Sequence, residues 1–299
     1  MAMGLGDFLR GLLGARGRDA SREMLGLDEL ARRLRLARAD LIALHPIYHT
    51  FHIPKRSGGT RKLAAPEPGL KHVQRAILRR LLARLPSHPA AMGFERGKSV
   101  VENAGRHRGK AVVVRLDIRS FFDATRAAKV DDYLRRIGWD AEARGVLLKL
   151  TTHEGSLPQG APTSPRLSNL VCYRLDFRLD RLARKLGGEY TRYADDLAFS
   201  FPADAGSRVR GLIRTVKTIL RSEGYELHVK KKLHIRRRRD CQLVTGLVVN
   251  ERVNLPRAVR RWLRSVEHHV ATGRRASLTR AQLAGWRSYR AMVERRAGN

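Results

Sequence analysis

A strand carrying one acid, a long helix, and an apolar strand pair interrupted by two adjacent acids follow one another in this chain. That order restricts its possible folds more than any other feature. The run "AVVVRLDI" is rich in β-branched residues, as a buried strand is, and it carries Asp117. "TSPRLSNLVCYRLDFRLDRLARKLGG" reads as one helix, with Ser164 as N-cap, Pro165 at the first helical position and Gly187 just past the end. Its apolar stripe is Leu167, Val171, Leu175, Leu179, Leu182 and Leu186. "YTRYADDLAFSF" then reads as a hairpin with Asp195 and Asp196 at its centre, and Val209, Leu212, Val216 and Ile219 mark a further helix. A β-α-β-β-α order is that of a split ferredoxin-like sheet, which sets the end of one strand beside the hairpin tip.

Acids placed side by side repel, and a buried charge is costly unless it is paired or bound to metal. Asp117, Asp195 and Asp196 at neighbouring strand ends make physical sense if divalent metal sits between them. Mg²⁺ takes carboxylate and phosphate oxygens. Two such ions, ~3.5–4 Å apart, can hold the attacking and leaving oxygens of a phosphoryl displacement. A lone Asp-Asp pair reads more readily as a turn with solvated acids, so the surrounding motifs must decide.

The charge balance points the same way. Lys and Arg total 61 against 28 Asp and Glu, a formal net charge of +33, which predicts a polyanionic partner such as nucleic acid. At 42% hydrophobic, the 299 residues can build a real core. The two cysteines, Cys172 and Cys241, form no CxxC, so a reducing, cytoplasmic setting is expected. No apolar run reaches the ~18 residues of a membrane span. Residues 1–20 read as a short amphipathic extension rather than a signal peptide. His45, His49 and His52 straddle the Pro46 turn with no Cys nearby, which argues against zinc.

Elsewhere, Leu27, Leu30, Leu34, Leu41 and Leu44 predict a helix from about Met24 to Leu44. "YHTFHIPKRSGGTRKLAAP" predicts a hairpin turning at Gly58-Gly59, and Leu70, Val73, Ile77, Leu81 and Leu85 a helix stopped by Pro86. "QLVTGLVVN" reads as a strand, and two helices close the chain, the first opening at Pro256.

Taken in order, these blocks resemble the bacterial retron-type reverse transcriptases, which are related to the group II intron enzymes. "YADD" at Tyr193–Asp196 resembles that family's YxDD box, and "RLDIRSFFDA" at Arg115–Ala124 its first catalytic-acid motif. "LPQGAPTSPRLSNL" at Leu157–Leu170 is similar to its LPQGxxxSP block, and "IPKRSGGTRKLAAP" at Ile53–Pro66 to its triphosphate-holding hairpin. "NAGRH" at Asn103–His107 and "VTG" at Val244–Gly246 resemble signatures of the retron enzymes. The resemblance covers nearly all of residues 45–255.

It implies an α+β right-hand polymerase with fingers at 21–92 and 126–163, a ferredoxin-like palm at 93–125 and 164–250, and a small helical thumb at 251–299. It implies RNA-directed DNA polymerase activity with two Mg²⁺ ions, Mn²⁺ as a substitute, and dNTP substrates. Asp117, Asp195, Asp196 and the Ile118 carbonyl would hold metal. Lys231 would be a general acid near the leaving pyrophosphate, its register among Lys230, Lys231 and Lys232 left open because His228 stands where the family has Asn. Arg61, with Lys55 or Arg56, would grip the triphosphate, Gln159 would line the nucleotide site, and Phe122 would be a steric gate or core packing. Asn103, His107, Arg236, Arg237, Arg238, Arg239, Arg257, Arg260, Arg261 and Arg264 would bind RNA.

The partner implied is a structured noncoding RNA from the same locus. It would serve as template and as 2′-hydroxyl primer of a branched multicopy single-stranded DNA (msDNA), in anti-phage defence with a separate effector. An intron-like or domesticated enzyme using 3′-hydroxyl primers is one alternative, and a catalytically silent RNA-binding protein is another.

Overall fold

The computed structural model describes residues 24–54, 58–204, 206–228 and 233–297. The N-terminal extension, Lys55, Arg56, and the lysines Lys230, Lys231 and Lys232 lie outside the described residues. Helices and sheets are mixed, giving an α+β chain in two units: residues to His88 with Ser120–Arg174, and Pro89–Arg119 with Leu175 onward.

In the first unit, β1 (Tyr48–Pro54) pairs antiparallel with β2 (Thr60–Pro66), from Tyr48 opposite Pro66 to Pro54 opposite Thr60. Gly58 and Gly59 both take positive φ, 86° and 77°, which only glycine adopts cheaply. Helices pack around a core that includes Leu30, Leu34, Ile77, Leu134, Trp139 and Leu150. The helix expected from Met24 to Leu44 is two helices, Leu27–Leu34 and Arg38–Ala43. Arg35 takes φ 54°, its N–H bonds the Arg32 carbonyl, and the Leu36 N–H bonds the Ala31 carbonyl. Those paired bonds are a Schellman stop, built here without the usual glycine.

Strands β3 (Val112–Asp117), β4 (Glu189–Tyr193), β5 (Asp196–Phe201) and β6 (His234–Arg237) form the sheet of the second unit, in the order β4-β5-β3-β6 with every neighbour antiparallel. This is the ferredoxin-like order expected. Its fourth strand, β6, includes Arg236 and Arg237, expected from the sequence only as RNA contacts: Arg236 pairs with Val113 and Arg237 with Val112. Residues 251–297, read in the sequence as part of a small helical thumb, belong to this second unit.

Two local readings change. The helix expected as one piece is two, Ser164–Val171 and Tyr173–Lys185, separated at Cys172 (ψ 5°), and the N-cap is Thr163 rather than Ser164. Gly187 does end the second helix, at φ 72°, with the Gly188 N–H on the Ala183 carbonyl. "QLVTGLVVN" is not one strand. It folds back as β7 (Leu243–Val244) and β8 (Leu247–Val248), because Thr245 and Gly246 both take positive φ, 46° and 81°, as a type I′ turn requires.

Candidate active site

Asp117 ends β3 and Asp196 begins β5, and the two are direct cross-strand partners. Directly opposed residues point to the same face of a sheet, with Cβ atoms roughly 4.5–5.5 Å apart. Asp195 lies one residue back, in the two-residue turn between Tyr193 and Asp196. The Ile118 N–H donates to the Asp195 carbonyl at 3.0 Å, tying the turn to the end of β3. On the other side of β3, the His228 N–H donates to the Asp117 carbonyl and the Arg119 N–H to the Glu226 carbonyl, both at 2.8 Å. The strand end that bears Asp117 is thus held from two sides.

Asp117 is buried, 4% exposed, whereas Asp195 and Asp196 are half-buried. Arg115 lies two residues before Asp117 on the same strand face, and its Nη2 is 3.5 Å from Asp196 Oδ1. Among the described residues no three carboxylate, imidazole or thiol side chains are gathered into a group that could hold a metal ion. The fold brings the backbones of the expected acids together without closing their carboxylates into a chelate. As a donor set, two carboxylates in register, a third on the adjoining turn and a neighbouring main-chain carbonyl are all oxygens, the chemistry that Mg²⁺ requires.

The turn itself is tightly cased. Ala194 adopts φ 56°, the left-handed region that an L-residue with a side chain enters at a cost. A segment that sequence reasoning missed, Ala90 to Gly93, runs along β4: the Arg192 N–H donates to the Ala90 carbonyl and the Met92 N–H to the Arg192 carbonyl. A Cβ on Gly93 would meet the Ala194 nitrogen at 3.0 Å and the Tyr193 ring at 3.2 Å. Phe94, 46% exposed, follows with its ring 6.2 Å from that of Tyr193.

The expected nucleotide-binding residues that are described belong to the first unit. Arg61 is exposed on β2, opposite Ile53. The Gln159 carbonyl accepts from the Ala64 N–H at 2.8 Å, and Gly160 (φ 128°) approaches so closely that a Cβ would lie 2.8 Å from the Ala64 oxygen. Gln159 is therefore fixed against the strand that bears Arg61. Phe122 is half-buried and packs on the core, its ring 5.4 Å from Phe121.

Two expected RNA contacts are corrected. Asn103 and His107 are 1% and 0% exposed, and a side chain without surface has no face for RNA. His107 bridges two strands instead, its ring nitrogens each 2.7 Å from the hydroxyls of Thr191 and Ser200. Burial, with Lys110 and Arg106 adding repulsion, pushes its pKa down to about 3, so it stays neutral. Of the expected basic residues, Arg236, Arg238, Arg239, Arg257, Arg260, Arg261 and Arg264 are exposed, while Arg237 is half-buried and paired with Asp204 at 2.6 Å. Gln242, also missed, is fully buried and its Nε2 lies within 3.1–3.3 Å of the Lys110, Arg236 and Ala111 carbonyls.

Residues 53–246 match the family model described as reverse transcriptase (RNA-dependent DNA polymerase). The chain belongs to the reverse transcriptase family. Among known proteins it is 39% identical over 265 residues to the retron Mx65 reverse transcriptase of Myxococcus xanthus, covering 82% of this chain and 61% of the relative. It is 38% identical to the retron Mx162 enzyme of the same organism, covering 76% of this chain and 53% of the relative. To the retron Ec86 reverse transcriptase of Escherichia coli it is 34% identical, covering 81% of this chain and 75% of the relative. Within the family it is of the bacterial retron type. The chain spans somewhat over half the length of the two M. xanthus relatives. Among the described residues no helix is long and apolar enough to cross a membrane.

Proposed function

We propose that this chain is an RNA-directed DNA polymerase that extends DNA from dNTPs on a structured noncoding RNA. The observation that carries the reading is the opposition of Asp117 and Asp196 at the ends of paired strands, with Asp195 tied beside them through Ile118. A pure binding protein gains nothing from acids concentrated at one strand end of a chain with net charge +33. The residues fit a divalent ion of the Mg²⁺ or Mn²⁺ class, which Asp117, Asp195, Asp196 and the Ile118 carbonyl would hold. Bound there, it would polarise phosphate oxygens and favour the ionised attacking hydroxyl.

The remaining roles fall to the protein's own groups. The β4-β5-β3-β6 sheet is the palm in this reading, the β1-β2 hairpin part of the fingers, and the helices after Pro256 the thumb. Arg61, with Lys55 or Arg56, steadies the triphosphate, since cations suit developing phosphate charge. Gln159 lines the nucleotide site and Phe122 excludes a 2′-hydroxyl. Lys231 donates a proton toward the departing pyrophosphate. The exposed arginines at 236, 238, 239, 257, 260, 261 and 264 follow RNA phosphates, which give affinity without sequence identity. The resemblance to the retron enzymes implies a finer reading, proposed here with it: priming from a 2′-hydroxyl of the cognate RNA, a branched msDNA product, and a role in anti-phage defence beside a separate effector.

Nucleic acid extracted from cells carrying the locus tests this directly. A discrete single-stranded DNA that shifts on debranching and disappears with Asp196→Asn is expected. DNA synthesis on RNA from an added 3′-hydroxyl primer, with no branched product in cells, would leave polymerase chemistry standing and favour the intron-like alternative. No DNA synthesis under either condition would leave a silent RNA-binding protein.

A further inference from the structure

Arg192 and Asp176 form an ion pair in which both side chains are 0% exposed. The pairing is two-pronged: Nε donates to Asp176 Oδ1 at 2.8 Å and Nη2 to Oδ2 at 2.6 Å. The Tyr190 hydroxyl donates to the same Oδ1 at 2.9 Å. Removing two charges from water is expensive, and apolar residues of like volume often serve stability as well or better. A buried pair so completely built calls for a purpose other than adhesion.

The third arm of the guanidinium supplies one. Nη1 donates to the Ala194 carbonyl at 3.2 Å. That carbonyl belongs to the peptide entering Asp195, and it follows a residue held at φ 56°. The carbonyl of Asp195 itself accepts from the Ile118 N–H at 3.0 Å. Asp195 therefore has the peptide on each side fixed, one by Arg192 and one by the end of β3. Its side chain can leave the main chain in only a narrow range of directions.

We infer that Arg192, locked in place by Asp176 and Tyr190, is the positioning residue of the acidic turn, fixing the Ala194 carbonyl so that Asp195 is presented beside Asp117 and Asp196. The inference rests on the polymerase reading of those acids. Lysine at 192 keeps a charge for Asp176 but has no third arm for Ala194.

The test is steady-state primer extension on RNA by the full chain. Arg192→Lys is compared with the parent, with Asp195→Asn, and with Leu212→Ala, a core truncation that calibrates how activity follows melting temperature. For Arg192→Lys we expect kcat to fall about 10- to 100-fold, the effect of a slightly misplaced group, with KM for dNTP unchanged. We expect that fall to exceed what Leu212→Ala shows at an equal loss of melting temperature. Parental kcat, or a fall no larger than the calibrated one, overturns the inference. If Arg192→Lys does not fold, Tyr190→Phe takes its place. A fall of about three- to tenfold in kcat at constant KM, the worth of one hydrogen bond, is then expected, and parental kcat overturns it. An active Asp195→Asn would instead overturn the polymerase reading of the acids, and this inference with it.

Discussion

Asn103 and Thr245 meet inside the second unit: Asn103 Nδ2 lies 3.4 Å from Thr245 Oγ1, and that hydroxyl donates to the Val100 carbonyl at 3.1 Å. The two short stretches that most resemble retron signatures are therefore one structural junction, 142 residues apart in sequence. It packs the helix Val100–Gly105 against the β7-β8 turn.

A junction of this kind predicts a stability effect without a binding effect. Asn103→Ala should destabilise the protein by about 1–3 kcal/mol, the cost of an unsatisfied buried partner. RNA affinity, by fluorescence anisotropy, should be unchanged. Weakened RNA binding at full stability would restore the surface role that burial argues against.

His107 gives a pH signature. Its pKa is about 3 when folded and 6.5 when unfolded, so between those values the unfolded chain binds more protons. This contribution to stability is present above pH 6.5 and is lost as pH falls through that window, by up to about 1.4 kcal/mol per unit. Urea denaturation at stepped pH should show His107→Gln with a shallower loss between pH 6.5 and 5 than the parent.

Removing the charge of Asp117 or Asp196 should abolish synthesis while sparing RNA affinity. Asp117→Asn and Asp196→Asn are each expected to lower kcat by at least about 10²-fold, the scale of losing one aligned electrostatic group. Gel-shift binding should stay at the parental level. Retained synthesis would remove the acids from the site.

The exposed arginines on the helix Arg257–Ala271 should behave as phosphate contacts. Each of Arg257→Ala, Arg260→Ala, Arg261→Ala and Arg264→Ala should reduce the slope of log affinity against log salt by about 1 if it meets a phosphate. Arg237, already committed to Asp204, should change that slope less.

Gly160→Ala combines a φ of 128° with a 2.8 Å clash against the Ala64 oxygen. It should cost about 1–3 kcal/mol of strain and displace Gln159. A raised KM for dNTP is the expected kinetic sign, and a parental KM would separate Gln159 from the nucleotide site.

The amino-acid order alone determined the β-α-β-β-α core and the acids at its strand ends. Strand alternation and a helix stripe are local patterns, and the charges that interrupt them stand out against an apolar background. The hairpin of β1 and β2 was legible for the same reason, through its two glycines. Backbone breaks were not legible. Nothing in a Leu-rich helix pattern shows that Arg35 takes a left-handed φ, or that Thr245 pairs with Gly246 in a turn, because neither Arg35 nor Thr245 is the Gly or Asn that usually marks a positive φ. The fate of polar residues was likewise a tertiary matter. Asn103, His107, Asp176 and Arg192 carry the same labels as surface residues in a sequence. Only the fold brings Thr245, Ser200, Thr191, Tyr190 and the Ala194 carbonyl within reach, and a polar side chain remains buried only where such partners wait for it.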